Sequence, residues 1–177
     1  GGGHLGKIHI RLAQQLDGAE FVGLVEPDDA TRCALADEHE TLACAHHSDL
    51  IDRIDAAIIA APTRFHHDVA MDLIEAGKHV LIEKPITTTL AQADDIIAAA
   101  RSNNVVVAVG HVERFNPALA SAAANIKSPK YIEAARTSSY TFRSTDVGVV
   151  LDLMIHDLDC ILAVVDSELM DVQALGM

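Results

Sequence analysis

The sequence predicts an α/β fold over residues 1–120, a parallel sheet wound with helices and lacking its first strand, followed over residues 121–177 by the start of an α+β domain. Three observations carry this expectation. Short β-branched runs alternate with amphipathic stretches as far as about Pro117, the pattern of βαβ units. The chain opens on glycines that lead straight into an amphipathic stretch. Beyond about Lys127 the alternation stops and longer runs take over.

The elements follow in order. His4 to Leu16 places Leu5, Ile8, Leu12 and Leu16 on one helical face, and Asp17-Gly18 turns the chain into a strand at Phe21–Val25. A second helix follows Pro27-Asp28. Ala56–Ala61 is apolar on both faces, as a strand inside a parallel sheet requires, and Pro62 ends it before a helix that closes near Gly77. His79–Glu83 is the next strand. Thr89 and Gln92 stand at capping-box spacing and open a helix to about Ala100, broken by Ser102-Asn103-Asn104. Val105–Gly110 is another strand, and Asn116-Pro117 offers a cap and a first-turn proline for a further helix. In the second region Tyr131–Phe142 reads as a long strand, Gly148–Val165 as a helix and Leu169–Leu175 as a strand. So short a second region closes no core of its own, so the chain is expected to be part of a longer protein.

Composition narrows the function. The 177 residues carry 26 Asp and Glu against 13 Lys and Arg, a formal charge of −13, which excludes a nucleic-acid partner that would need clustered cations. With two Tyr, four Phe and no Trp, the core must be aliphatic. The most hydrophobic runs, Ala56–Ala61 and Val105–Val109, are too short for a membrane span. Cys33, Cys44 and Cys160 form no CxxC pair and leave an odd count, which fits reduced thiols used for packing in a cytoplasmic protein.

Gly1-Gly2-Gly3-His4-Leu5-Gly6 fits G-x-G-x-x-G at the mouth of a helix. There the first glycine makes a tight turn, the second lets backbone approach a pyrophosphate, and the third permits close helix–strand packing. The same run also reads as a flexible glycine tail. Glu26, twenty residues beyond Gly6 at a strand end, is placed to accept hydrogen bonds from the ribose hydroxyls of an adenosine, and its charge opposes a 2′-phosphate, so NAD is favoured over NADP. Its other reading is a solvated side chain in the turn before Pro27.

Glu83-Lys84-Pro85 ends a buried strand, at the side of a parallel sheet where ligands bind, and an ammonium held there can steady alkoxide charge. The tripeptide alone is equally compatible with a surface lysine whose stem lies along a turn. On the helix at 148–165, Asp152, His156 and Asp159 fall on a narrow stripe beside the apolar one. A carboxylate one turn from a histidine can fix its tautomer for proton abstraction, or make an ordinary surface hydrogen bond. Gly110-His111-Val112-Glu113-Arg114-Phe115-Asn116-Pro117 gathers donors and acceptors suited to a polyhydroxylated ligand, or else caps a helix beside an exposed Glu113–Arg114 pair. The histidines at 4 and 9, 46 and 47, and 66 and 67 lack a third ligand at metal spacing and read as surface residues in turns.

Together these residues resemble the glucose–fructose oxidoreductase / inositol dehydrogenase (Gfo/Idh/MocA) family: the Gly1-Gly3-Gly6 loop, Ala61-Pro62-Thr63 with His66, Glu83-Lys84-Pro85, Gly110-His111 with Glu113 to Pro117, and Asp152 to Asp157, in family order. The resemblance implies a Rossmann domain followed by a mostly antiparallel domain, a homo-oligomeric full-length protein, and NAD(P)-dependent hydride exchange at a sugar or cyclitol alcohol. It implies cofactor contacts from Gly1, Gly3, His4, Leu5, Gly6, Glu26, Pro62, Thr63, His66, Glu83 and Lys84. It implies substrate contacts from Lys84, His111, Glu113, Arg114, Asn116 and His156, catalysis by Lys84, Asp152 and His156, and no metal. Within the family the resemblance is to the subgroup acting on the 3-hydroxyl of UDP-N-acetylglucosamine-type sugars, although Asp146-Val147-Gly148 replaces the usual glycine pair. A non-catalytic NAD-binding regulator on the same fold is the alternative, disfavoured because a binder needs no acid/base pair.

Overall fold

The computed structural model describes residues 1–123, 125–137 and 148–176. They gather into two compact units, one of Gly1–Gly110 with Gly148, the other of the described residues in 111–142 and 149–177. The second unit takes in residues 111–120, which the sequence assigns to the first domain.

In the first unit, helix α1 (His4–Ala13) leads to strand β1 (Leu24–Val25), helix α2 (Asp29–His39) and strand β2 (Ala43–Cys44). Strand β3 (Ala56–Ile59), helix α3 (His66–Glu75), strand β4 (His79–Ile82), helix α4 (Leu90–Asn103) and strand β5 (Val107–Val109) follow. The order βαβαβ is the alternation read from the sequence. β1 pairs parallel with β2, Leu24 opposite Ala43, and β3–β4–β5 form a separate parallel sheet with Ile59 opposite Ile82 and Ile82 opposite Val109. The strand that a Rossmann order places between β1 and β3 has no counterpart among the described residues.

Local chemistry fixes the helix ends. The Asp28 carboxylate accepts the Thr31 N–H at 2.8 Å and starts α2. The Thr89 hydroxyl accepts the Gln92 N–H at 3.3 Å and starts α4, but the box is not reciprocal: Gln92 Oε1 takes the Thr88 hydroxyl instead. Helix α4 runs through Ser102 and Asn103, past the expected break, because Asn104 adopts the left-handed conformation that ends a helix (φ 52°).

Ile59, Ala70, Leu73, Ile74, Val80, Ile82 and Ile96 form the main core between the sheet and helices α3 and α4. Each full burial of such a side chain contributes about 1.5–3 kcal/mol. Only one sheet face is covered: Ala56 and Ile58 are exposed on the other, contrary to the two-faced burial expected of β3. A smaller core joins Ile10, Leu24 and Leu35. The α1 face differs from expectation as well, since Leu5, Leu12 and Leu16 are exposed while Gly6 and Ile10 point inward. Phe21–Gly23 lies outside the β1 ladder, and Cys33 is exposed rather than packed.

The second unit holds helix α5 (Pro117–Ala123), a π-turn at Val150–Met154 and helix α6 (Ile155–Val164). Asn116 Oδ1 accepts the Ala118 N–H at 3.0 Å, the cap expected there. Of the strands expected at Tyr131–Phe142 and Leu169–Leu175, residues 131–137 and 169–176 have no ladder partner among the described residues, and 138–142 lie outside them. A strand without a neighbour leaves its amides to solvent.

Candidate functional site

In the first unit residues just beyond β1 and β3 meet the glycine turn before α1, through Glu26 and Ala60, and Glu83 just beyond β4 meets His9 within α1. Gly1 lies so close to the loop after β3 that a Cβ on it would stand 2.5 Å from the Ala60 carbonyl oxygen. A Cβ on Gly6 would stand 1.8 Å from the Gly1 oxygen, so the turn closes only without a side chain. Gly3 is different: a Cβ there meets nothing within 4 Å. It is the N-cap of α1, makes no side-chain cap, and the first turn carries no acidic residue. The opening N–H groups of α1 thus have no side-chain cap and carry the polarity that suits a phosphate, beside exposed Gly1, His4 and Leu5.

Glu26 follows β1. Its Oε2 accepts the Gly2 N–H at 2.5 Å and its Oε1 accepts the Asp28 N–H at 2.9 Å. Each oxygen keeps a lone pair for a further donor such as a ribose hydroxyl. Arg32, which the sequence reading missed, donates from Nη1 to the carbonyls of Glu26 (3.0 Å) and Pro27 (3.2 Å) and from Nη2 to Asp29. Its only sequence signal is the i, i+3 spacing from Asp29.

Beyond β3, Pro62 caps a short 3-10 turn and Thr63 is buried. His66 is not a surface residue. It is 1% exposed, with Nδ1 3.0 Å from the Pro85 carbonyl and Nε2 2.9 Å from the Ala61 carbonyl, so both ring nitrogens face main chain. Beyond β4, Glu83 is buried and Lys84 is half-buried. His9 Nε2 lies 2.7 Å from Glu83 Oε1, which again corrects the surface reading of that histidine. Burial, the largest single influence, pushes the Glu83 carboxyl up, but the hydrogen bonds and charges of His9 and Lys84 together hold the group below its ordinary value. The Lys84 N–H approaches Glu83 Oε2 at 3.3 Å, and a Cβ on Gly110 would come within 3.1 Å of the same carboxylate.

In the second unit the Glu113–Arg114 pair, the alternative reading of this loop, is not made among the described residues. Arg114 instead grips Asp159 through two bonds, Nε to Oδ2 at 2.7 Å and Nη2 to Oδ1 at 2.6 Å, while Glu113 accepts from Asn116 at 3.3 Å. Asp159 is 7% exposed, and the Arg114 hydrogen bond outweighs burial to hold its carboxyl below the ordinary value. His111 Nδ1 lies 3.9 Å from Asp159 Oδ1. Arg136 binds Asp157 at 2.8–3.0 Å. Asp152 sits in the π-turn and His156 at the start of α6, both half-buried. Such π-turns recur at functional positions in helices. Among the described residues no group of three or more His, Cys, Asp or Glu is placed to hold a metal, and no helix is long and apolar enough to cross a membrane.

A family model described as an oxidoreductase family with an NAD-binding Rossmann fold, Gfo/Idh/MocA, matches residues 1–111. The chain belongs to the Gfo/Idh/MocA family. It is similar to the UDP-N-acetylglucosamine 3-dehydrogenase of Acidithiobacillus ferrooxidans, 38% identical over 100% of this chain and 56% of that protein. A solved structure of that enzyme, GnnA, superposes with a TM-score of 0.88 at 34% identity, covering 99% of this chain and 57% of the other. An inositol 2-dehydrogenase of Corynebacterium glutamicum is 28% identical over 98% of this chain and 55% of its own length. The WlbA dehydrogenase of Bordetella pertussis, solved with NADH and UDP-GlcNAcA, superposes over 71% of this chain and 37% of its own with a TM-score of 0.65 at 26% identity. The chain spans about half the length of the relatives it matches end to end. For a Gfo/Idh/MocA protein the open start of α1 and the two remaining acceptor sites of Glu26 fit the pyrophosphate and ribose of a dinucleotide.

Proposed function

We propose that this chain supplies the NAD-binding unit and the acid/base helix of a dehydrogenase acting on a secondary alcohol of a nucleotide sugar, the 3-hydroxyl of UDP-N-acetylglucosamine. The observation that carries the cofactor side is Glu26, held by the Gly2 and Asp28 amides beside the uncapped start of α1. It supports NAD over NADP, because a 2′-phosphate would meet the carboxylate, and Arg32 is already engaged by Asp29 and two carbonyls. The substrate reading rests on 38% identity along the whole chain to an enzyme of that name.

Bound NAD supplies the acceptor for the hydride that leaves the carbinol carbon. The side chains divide the remaining work. His156 takes the hydroxyl proton, and Asp152, one turn earlier, orients its ring. Lys84 steadies negative charge on the reacting oxygen, and Pro62, Thr63 and the Gly1–Gly6 loop seat the cofactor. His111 and Asn116 are substrate contacts; Arg114 serves through its hold on Asp159.

The test is NADH and NADPH formation by the full-length protein on nucleotide sugars, free sugars and inositols, beside its Lys84→Ala variant. Turnover is expected with NAD and a UDP-sugar, falling about 100-fold or more in the variant. A preference for NADP would overturn the role of Glu26. Tight NAD binding with no turnover would establish a non-catalytic binder instead.

A further inference from the structure

Glu83 ties the end of β4 to α1 through its carboxylate and to β3 through its main chain. Its Oε1 lies 2.7 Å from His9 Nε2 on α1, 74 residues away. Oε2 of the same carboxylate is approached by the Lys84 N–H at 3.3 Å, and the main-chain N–H of Glu83 donates at 3.0 Å to the carbonyl of Ile59, the last residue of β3. Gly110, just past β5, has no side chain where a Cβ would come within 3.1 Å of both carboxylate oxygens. The side chains of His9 and Glu83 are 19% and 8% exposed, so water is a poor substitute for either partner. Facing an ionised carboxylate, which only accepts, Nε2 must be the donor nitrogen of His9.

The geometry points to His9 as a positioning residue for Lys84. Through Glu83 it fixes the main chain of the lysine against α1, and so sets the separation between the glycine loop and the lysine ammonium. His9 itself touches neither cofactor nor substrate in this role. The inference rests on the proposed function of Lys84 at the cofactor ribose and reacting oxygen, and its test separates the two.

The full-length protein is compared with its His9→Phe, His9→Gln and Lys84→Ala variants in NAD-dependent oxidation of UDP-N-acetylglucosamine, with kcat and each KM determined. Amide hydrogen exchange at Lys84 is followed in the same samples. Phenylalanine fills the space but donates nothing. His9→Phe is expected to lower kcat about tenfold to a hundredfold, the scale of a misplaced catalytic group, with a smaller change in the KM for NAD. Exchange at Lys84 is expected to quicken about tenfold, because the carboxylate is no longer held beside its N–H. Glutamine, which can donate to Glu83, should recover most of both. If His9→Phe precipitates, His9→Asn, polar but too short to span to Glu83, carries the same expectations.

Wild-type kcat and unchanged Lys84 exchange in His9→Phe would overturn the inference, as would equal loss in the Phe and Gln variants. A drop in melting temperature with kinetics unchanged would make the pair merely structural and would overturn it too. A fully active Lys84→Ala would instead sink the proposed role of Lys84, whereas a silent Lys84→Ala beside a normal His9→Phe sinks only the positioning role. Should the wild-type protein turn over no substrate, the exchange measurement alone decides whether His9 holds the Lys84 main chain.

Discussion

A His156→Ala variant of the full-length protein is expected to lose about 100- to 10,000-fold in kcat while still binding NADH. Removing a hydroxyl proton as hydride departs needs a base within hydrogen-bond reach, and the imidazole on the first turn of α6 is the group proposed for it. The groups that fit the dinucleotide, the Gly1–Gly6 loop and Glu26, belong to the other unit, so cofactor affinity is expected to survive. Stopped-flow turnover with NADH fluorescence titration checks both halves. Turnover within about threefold of wild type would remove His156 from the chemistry, since a positioned general base contributes far more than that. A His156→Gln variant distinguishes loss of the base from loss of a polar contact, because the amide keeps the contact and cannot take a proton.

Gly6→Ala is the substitution expected to damage the first unit most. The added carbon would stand 1.8 Å from the Gly1 oxygen and 2.8 Å from the Gly1 carbonyl carbon, both main-chain atoms that no rotamer change can move away. Overpacking typically costs about 1–3 kcal/mol, and a clash with backbone at a helix start belongs at or above the top of that range. Urea unfolding of the full-length protein should show the lower midpoint, and NADH binding should weaken with it. Gly3→Ala, by contrast, meets no protein atom within 4 Å, so its unfolding midpoint should stay near wild type and any effect should fall on cofactor binding alone. Equal midpoints for Gly6→Ala and wild type would show that the loop opens more readily than this packing allows.

What the sequence made legible is what chemistry writes locally. The glycine spacing, the Asn116 cap, the Thr89 hydroxyl and the order of strands and helices in the first unit all depend on neighbours within a few residues. The place of Glu26 just beyond a strand was legible because its distance from Gly6 is set by one helix and one strand. His9 was not, because its partner lies 74 residues along the chain, and nothing in the spacing of His4 and His9 distinguishes an interior ring from an exposed one. His66 was misread for the same reason: its two carbonyl partners come from the loops after β3 and β4. Arg114 read as the neighbour of Glu113, yet Asp159, 45 residues on, offers a buried bidentate carboxylate that an adjacent side chain cannot match. The runs at 131–137 and 169–175 have strand composition, but a strand exists only where a partner supplies the ladder, and none of the described residues does so.

The arrangement β3–α3–β4–α4–β5 also sets an order of assembly. Within Ala56–Val109 every strand pairs with the next one in the chain, over ladders of three and four residues that rest on the larger of the two cores. The β1–β2 ladder covers only two residues on each strand, with a three-residue core beneath it. The segment from β3 to β5 is therefore the natural nucleus, and Val80, Leu81 and Ile82, on its central strand, should be the last amides to exchange as the molecule opens. The half that carries Glu26, with its shorter ladder and smaller core, is expected to open first. The adenosine end of the dinucleotide would then be received by the softer part of the scaffold and the nicotinamide end by the stiffer one.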